Sequence, residues 1–179
     1  MQKTTLYSVT VPPMMKALQN LSGVLDKLSH HANKKQLEWH PKGMQEEALL
    51  SSRLISDQFP FLRQIQIACD NGAAGSSRLA GVEAPSFPDD EKTVEELKAR
   101  IDKVVKYMKT IKEADVNKNE SHEIELRYWP GKKMTGFGYA TEYLMPNFYF
   151  HVATAYCILR KNGVELGKDD YIGEKPFIN

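Results

Sequence analysis

Apolar residues that recur in steps of three and four constrain this chain more than any other feature. From Thr93 onward, Val94, Leu97, Ile101, Val104, Met108 and Ile111 form one such stripe; Met14, Leu18, Leu21, Leu25, Leu28 and Ala32 form another. The spacing gathers each set on one side of an α-helix, which must then be covered by partners of the same kind. Thr93 with Glu96 makes a capping box ahead of the later stripe, and Glu95 suits the positive end of that helix. Pro12 and Pro13 fit the opening turn of the earlier helix, with Thr10 as its candidate cap. The charge run Lys92 to Lys112 reads as a solvated helix face.

A second helical segment begins near Gln45 with Ala48, Leu49, Ser52 and Ile55. It is broken or kinked at Pro60 and resumes through Phe61, Leu62, Ile65, Ala68 and Cys69. The small residues from Asn71 to Ser77 either let a neighbouring helix approach closely or end this one. The last helix runs from Glu142 or Pro146 to Asn162 along Phe148, Val152, Ala155 and Leu159, with Gly163 as its C-terminal cap. Before it, Glu123 to Trp129 alternates with period two, Pro130-Gly131-Lys132 reads as a turn, and Met134 to Tyr139 pairs back as a second strand. Lys34 to Gly43, including Trp39-His40-Pro41, and Gly81 to Asp90 read as loops. Tyr128 and Trp129 read as packing residues, and Tyr171, Ile172, Phe177 and Ile178 dock the tail. Four amphipathic helices with a β-hairpin inserted before the last predict an all-α four-helix bundle, one domain over 1–179.

Composition narrows the function classes. A net charge of +1 and a pI near 7.7 give no basic face for nucleic acid. No run of about 18 apolar residues marks a membrane span. The first residues lack the apolar core and cleavage site of a signal peptide. Cys69 and Cys157 sit in helical patterns among apolar neighbours, as small core residues do. A cytoplasmic protein with neither nucleic-acid nor membrane partners is expected. Phosphate-loop, dinucleotide and Gly-x-Ser-x-Gly signatures are missing.

Polar residues on the inner faces carry what chemistry there is. Gln66 and Asp70 lie one turn apart on the second helix, and Asn147 and His151 one turn apart on the last; His31 follows Leu28 on the first. A buried carboxylate must be hydrogen-bonded, paired or ligated. One reading brings His31, Gln66, Asp70, Asn147 and His151 together as a pocket in the bundle interior, His151 acting as hydrogen-bonding group or general base and Asp70 orienting it. The other has His151 donating to Asp70 or a backbone carbonyl, so that the cluster only sets helix register. Imidazole and carboxylate from His151, Asp70 and His31 also suit a divalent metal such as Zn or Ni. Cys69 with His151 as nucleophile and base is disfavoured by an apolar setting, which raises a thiol's pKa.

The segment Pro146-Asn-Phe-Tyr-Phe-His-Val-Ala-Thr-Ala-Tyr-Cys-Ile-Leu-Arg-Lys-Asn-Gly-Val, followed by Leu166-Gly-Lys-Asp-Asp-Tyr-Ile-Gly173, resembles the C-terminal signature of an uncharacterised family of bacterial and fungal proteins. Arg53 through Asp70 and Arg78-Leu-Ala-Gly81 resemble it in the same order. That family, a domain of unknown function, is grouped with the DinB/YfiT-like metalloenzyme superfamily. The resemblance implies a DinB-like four-helix bundle, homodimers, and a metal held by three histidines, one from helix two and two from a His-x-x-x-His in helix four. Members of the wider group include thiol-dependent transferases and isomerases. Leu159-Arg160-Lys161-Asn162-Gly163 aligns His151 with the second of those two histidines and Asn147 with the first. Gln64, Gln66 and Asp70 stand near the helix-two position. The resemblance thus implies a degenerate metal site and a small-molecule-binding protein of unknown ligand, with a divalent-metal enzyme (transferase, isomerase or hydrolase) as the alternative.

Overall fold

The capping box forms as its spacing predicts. Thr93 Oγ1 accepts from Glu96 N at 3.2 Å, Glu96 Oε2 accepts from Thr93 N at 3.0 Å, and helix α4 follows over Val94–Met108. The computed structural model describes residues 4–38, 41 and 43–177; Trp39, His40 and Ile178 lie outside them. Helix α1 spans Val11–Lys35 with both prolines in its first turn. Thr10 does not cap it, because its hydroxyl donates back to Leu6 O at 2.6 Å.

Helix α2, Met44–Ser51, is short, and α3 runs over Phe61–Ala80 after Pro60. Between them Ile55 and Phe59 are exposed, so neither extends an apolar stripe. The small residues of α3 do not end it. Gly72 sits under Leu18 and Met108, and a Cβ on Gly75 would collide with the Leu144 side chain. The helix stops at Gly81, whose φ of +68° closes the last turn.

After α5, Glu113–Asn117, the hairpin pairs β1, Glu123–Glu125, with β2, Lys133–Thr135, antiparallel and with Ile124 opposite Met134. The second strand is shorter than its alternation predicts. Thr135 Oγ1 accepts from Gly138 N at 3.1 Å and starts a helical turn, α6, Gly136–Gly138. A Cβ on Gly136 would strike the Asn119 carbonyl, so only glycine allows this junction. A π-helical turn over Tyr139–Leu144 follows and leads into α7, Met145–Lys161. The wide turn lies directly before Pro146, whose ring crowds the preceding turn and which has no N–H to donate. Gly163, with φ +83°, terminates α7.

Helices α1, α3, α4 and α7 form the bundle, with α3 between α4 and α7 and α1 closing the other side. Met14, Leu18, Leu25, Ile65, Leu97, Ile101, Phe148 and Leu159 are fully buried at its centre. The fold is therefore an all-α four-helix bundle with a small β-hairpin before the last helix. The tail is held by α8, Lys168–Ile172, where Asn20 Nδ2 donates to Tyr171 O at 3.0 Å. Phe177 does not dock; it is 83% exposed. Cys157 is exposed rather than a core residue, and Tyr128 is largely solvent-facing. Among the described residues no helix is long and apolar enough to cross a membrane.

Candidate functional site

Helix α3 buries polar side chains on two flanks. Toward α7 it presents Gln64 and Asn71, two turns apart, opposite His151 and Asn147. His151 Nδ1 lies 2.6 Å from Gln64 Oε1. Gln64 Nε2 donates to Phe59 O at 3.0 Å, which orients the amide with its oxygen toward the imidazole. His151 must then carry its proton on Nδ1 and donate it, leaving Nε2 as an acceptor. Burial, and secondarily the charge of Arg63, lowers the His151 pKa to about 4, so the ring is neutral near pH 7. One turn away, Asn147 Nδ2 donates to Asn71 Oδ1 at 3.2 Å, and Asn71 Nδ2 is buried without a partner among the described residues.

The flank toward α4 is charged. Arg100, only 2% exposed, is held from four sides. Its Nη2 pairs with Asp70 Oδ1 at 2.6 Å and Asp89 Oδ1 at 3.0 Å, while Nη1 reaches Glu91 Oε1 at 3.0 Å and Pro88 O at 2.9 Å. Burial works against the guanidinium charge, but the hydrogen bond to Glu91 and the charges of Asp70 and Glu91 outweigh it and hold Arg100 protonated. Gln66 Nε2 donates to Glu91 Oε2 at 2.8 Å, and Arg63 bridges Gln66 and Asp89. Burial pushes the Asp70 carboxyl above its usual range against the pull of Arg100. Cys69 lies beneath this cluster, fully buried, its thiol pushed up to about 12 mainly by burial. It stays protonated and unreactive.

The expected pocket residues therefore divide into separate neighbourhoods. Gln66 and Asp70 belong to the Arg100 cluster, while Asn147 and His151 face α3 from α7. His31 lines a different cavity of about 490 Å³, beside His30, Lys34 and Gly163. Asp70 does not orient His151; Gln64 does. A base whose pKa lies near 4 is also a weak proton acceptor at neutral pH.

Sequence reasoning missed Arg100, which lies on the buried face of α4 rather than the solvated one. The signal was there, since Arg100 falls three residues after Leu97 and four before Val104, inside the apolar stripe. Glu91 and Asp89 come from a loop, where no periodicity marks burial.

Above the exposed side of α3 lies an open cleft of about 550 Å³. Its floor is Arg63, Ile67, Asp70, Asn71, Ala74 and Arg78. One wall is the 85–89 segment, fastened by the Arg100 cluster, and the other is Leu126 to Tyr128 with Tyr139, Tyr143 and Asn147. Leu144 seated on the bare backbone of Gly75 anchors the π turn, and with it Tyr139 and Tyr143, over this floor. Trp129 meets Tyr143 edge-on at 5.4 Å.

Residues 6–172 match the family described as Domain of unknown function (DUF1993). The chain belongs to this family. It is also similar to a crystal structure of a DinB family member protein from Shewanella denitrificans, with 42% identity over 97% of this chain and 95% of that one and a TM-score of 0.88. No curated protein matches this DUF1993 chain.

The residues present do not fit the metal that the DinB resemblance implies. Of three histidines, His151 alone stands in place, with amides at Asn147 and Gln64. Among the described residues no group of three His, Cys, Asp or Glu side chains is arranged to hold a metal ion. Asp70, the nearest carboxylate on α3, is committed to Arg100.

Proposed function

We propose that this DUF1993 protein binds a small organic molecule in the cleft between α3, the 85–89 segment and the π turn, through its own side chains rather than a resident metal. The observation that carries this reading is the cleft itself. Its volume of about 550 Å³ falls in the range of small-molecule sites, roughly 300–1,000 Å³, and its walls combine aromatic rings with a few convergent polar groups. Two of the expected residues, Asp70 and Asn147, line it, while Gln66 and His151 brace α3 from behind.

Mapping a mixed fragment library by NMR tests the reading. Hits should shift the backbone amides of 63–78 and the side-chain amides of Asn71 and Asn147. A library whose hits all map elsewhere, or that yields none, overturns it.

The metal-enzyme alternative requires His151, Asp70 and His31 to converge, and they lie in three neighbourhoods. Protein purified without a nickel column should hold no stoichiometric divalent metal; a bound metal that disappears in His151→Ala would reverse the preference. We also propose a homodimer that works in the cytoplasm. Exposed Ile55, Phe59 and Phe150 supply apolar surface to cover, and the unpaired thiols of Cys69 and Cys157 suit a reducing compartment. Analytical ultracentrifugation checks the pairing.

A further inference from the structure

We infer that the cleft takes a flat aromatic oxyanion, a carboxylate or a phosphate ester on a planar body; this rests on the reading of the cleft as a ligand site. The two carboxylates that line the cleft are already engaged, Asp70 by Arg100 and Asp89 by both Arg100 and Arg63. Arg78 and Arg127 line it as well, and among the described residues neither has a carboxylate within 4.0 Å. Their side-chain partners are phenols. Arg78 Nη1 donates to Tyr139 Oη at 3.4 Å, and Arg127 Nη2 donates to Tyr128 Oη at 3.0 Å with its guanidinium 5.0 Å from that ring's centre.

A guanidinium has five N–H donors and no acceptor, so each of these arginines keeps most of its donors free. The phenols that accept from them keep their own O–H. Asn71 adds a buried amide N–H pair that has no partner among the described residues, while its oxygen accepts from Asn147. The cleft therefore offers donors and surplus positive charge while its own anions are neutralised. That chemistry selects an acceptor-only group, and the planar fork of arginine suits a carboxylate or phosphate best. The walls supply the remainder of the match. Tyr139 is buried behind the wall, its ring 5.9 Å from that of Tyr143 and 32° from parallel, so half-buried Tyr143, held edge-on by Trp129, is the ring that faces the cleft. Aromatic faces favour a flat apolar body.

Four probes of similar shape and different charge test this: benzoate, phenyl phosphate, benzamide and benzylammonium. The chain has two tryptophans, so Trp39→Phe leaves Trp129, beside Tyr143, as the single indole. Its fluorescence is read at fixed ionic strength, with the Asn71 side-chain amide resonance as a second readout. The two anions should bind saturably, and the neutral and cationic probes at least tenfold more weakly. Arg78→Gln combined with Arg127→Gln should weaken the anions at least tenfold while the unfolding midpoint stays put, since both residues are exposed. Benzamide binding as tightly as benzoate, or anions binding the double variant undiminished, overturns the anion assignment and leaves the cleft reading standing. Silence of all four probes in both readouts also overturns it, and fragment mapping then decides the cleft on its own.

Discussion

The two buried flanks of α3 solve one problem with opposite chemistry. Toward α4, a guanidinium is surrounded by three carboxylates and a backbone carbonyl; toward α7, neutral amides and a neutral imidazole pair off. The neutral flank needs one good hydrogen bond per pair and little else. The charged flank is worth having only when complete, because desolvated charges repay their burial through full pairing. What the charged flank adds is reach. Asp89, Pro88 and Glu91 all belong to the segment after α3, so the cluster fastens one wall of the cleft, whereas the neutral pairs only fix how α7 lies on α3.

The sharpest way to break this comparison is Arg100→Leu. Removing the guanidinium strands Glu91, whose side chain is 10% exposed, beside Asp70 and Asp89. Breaking a buried ion pair from one side costs about 3–5 kcal/mol, read as a lower urea midpoint at unchanged slope. A loss below about 1 kcal/mol would show that the cluster is wet and that its wall of the cleft is held by something else.

The neutral flank breaks through pH. The unfolded His151 titrates near 6.5 and the folded one near 4, so between those values the unfolded chain binds a proton that the folded chain does not. Stability contributed by the neutral ring is full above about pH 7 and falls as pH drops. About 2 kcal/mol should be lost between pH 7 and pH 5. His151→Gln should remove that slope in chemical denaturation at the two pH values. Gln64→Glu should reverse it, since a carboxylate beside the ring raises the folded pKa and makes protonation stabilising.

Much of the bundle was legible because burial leaves a period. The stripes of α1 and α4, the capping box at Thr93 and the stop at Gly163 are local features whose partners lie within one or two turns. The polar residues Gln66 and Asp70 of α3 and Asn147 and His151 of α7 were legible for the same reason. Their partners were not. Nothing in the spacing of α3 distinguishes Gln64, which reaches His151, from Gln66, which reaches a loop carboxylate 25 residues further along the chain. The π turn escaped notice because its cause lies in the proline after it. Its register decides which aromatic side chains face the cleft.

A finer probe of the neutral flank is Asn147→Ala. It removes the only hydrogen bond that Asn71 Oδ1 receives from α7, at a cost near 1 kcal/mol in thermal or chemical unfolding. The position one turn on, His151, should keep its low pKa, because Gln64 rather than Asn147 holds it. A shifted His151 titration by NMR in this variant would show that the two pairs act as one network.

The smallest expected effect separates the members of the charged flank from one another. Asp70 touches Arg100 at 2.6 Å, the shortest contact that Arg100 makes, yet its side chain is 41% exposed. Burial already raises its pKa, so its charged form gains less from the pair than the distance suggests. In Asp70→Asn the amide oxygen still accepts from Nη2, and the partly solvated ion pair it replaces is worth below about 1 kcal/mol. Glu91→Gln, at a site with little water, should cost more than Asp70→Asn when both are unfolded in urea side by side. If the order came out reversed, Asp70 would be the anchor of Arg100, and the cleft floor rather than its wall would be what the buried arginine exists to hold.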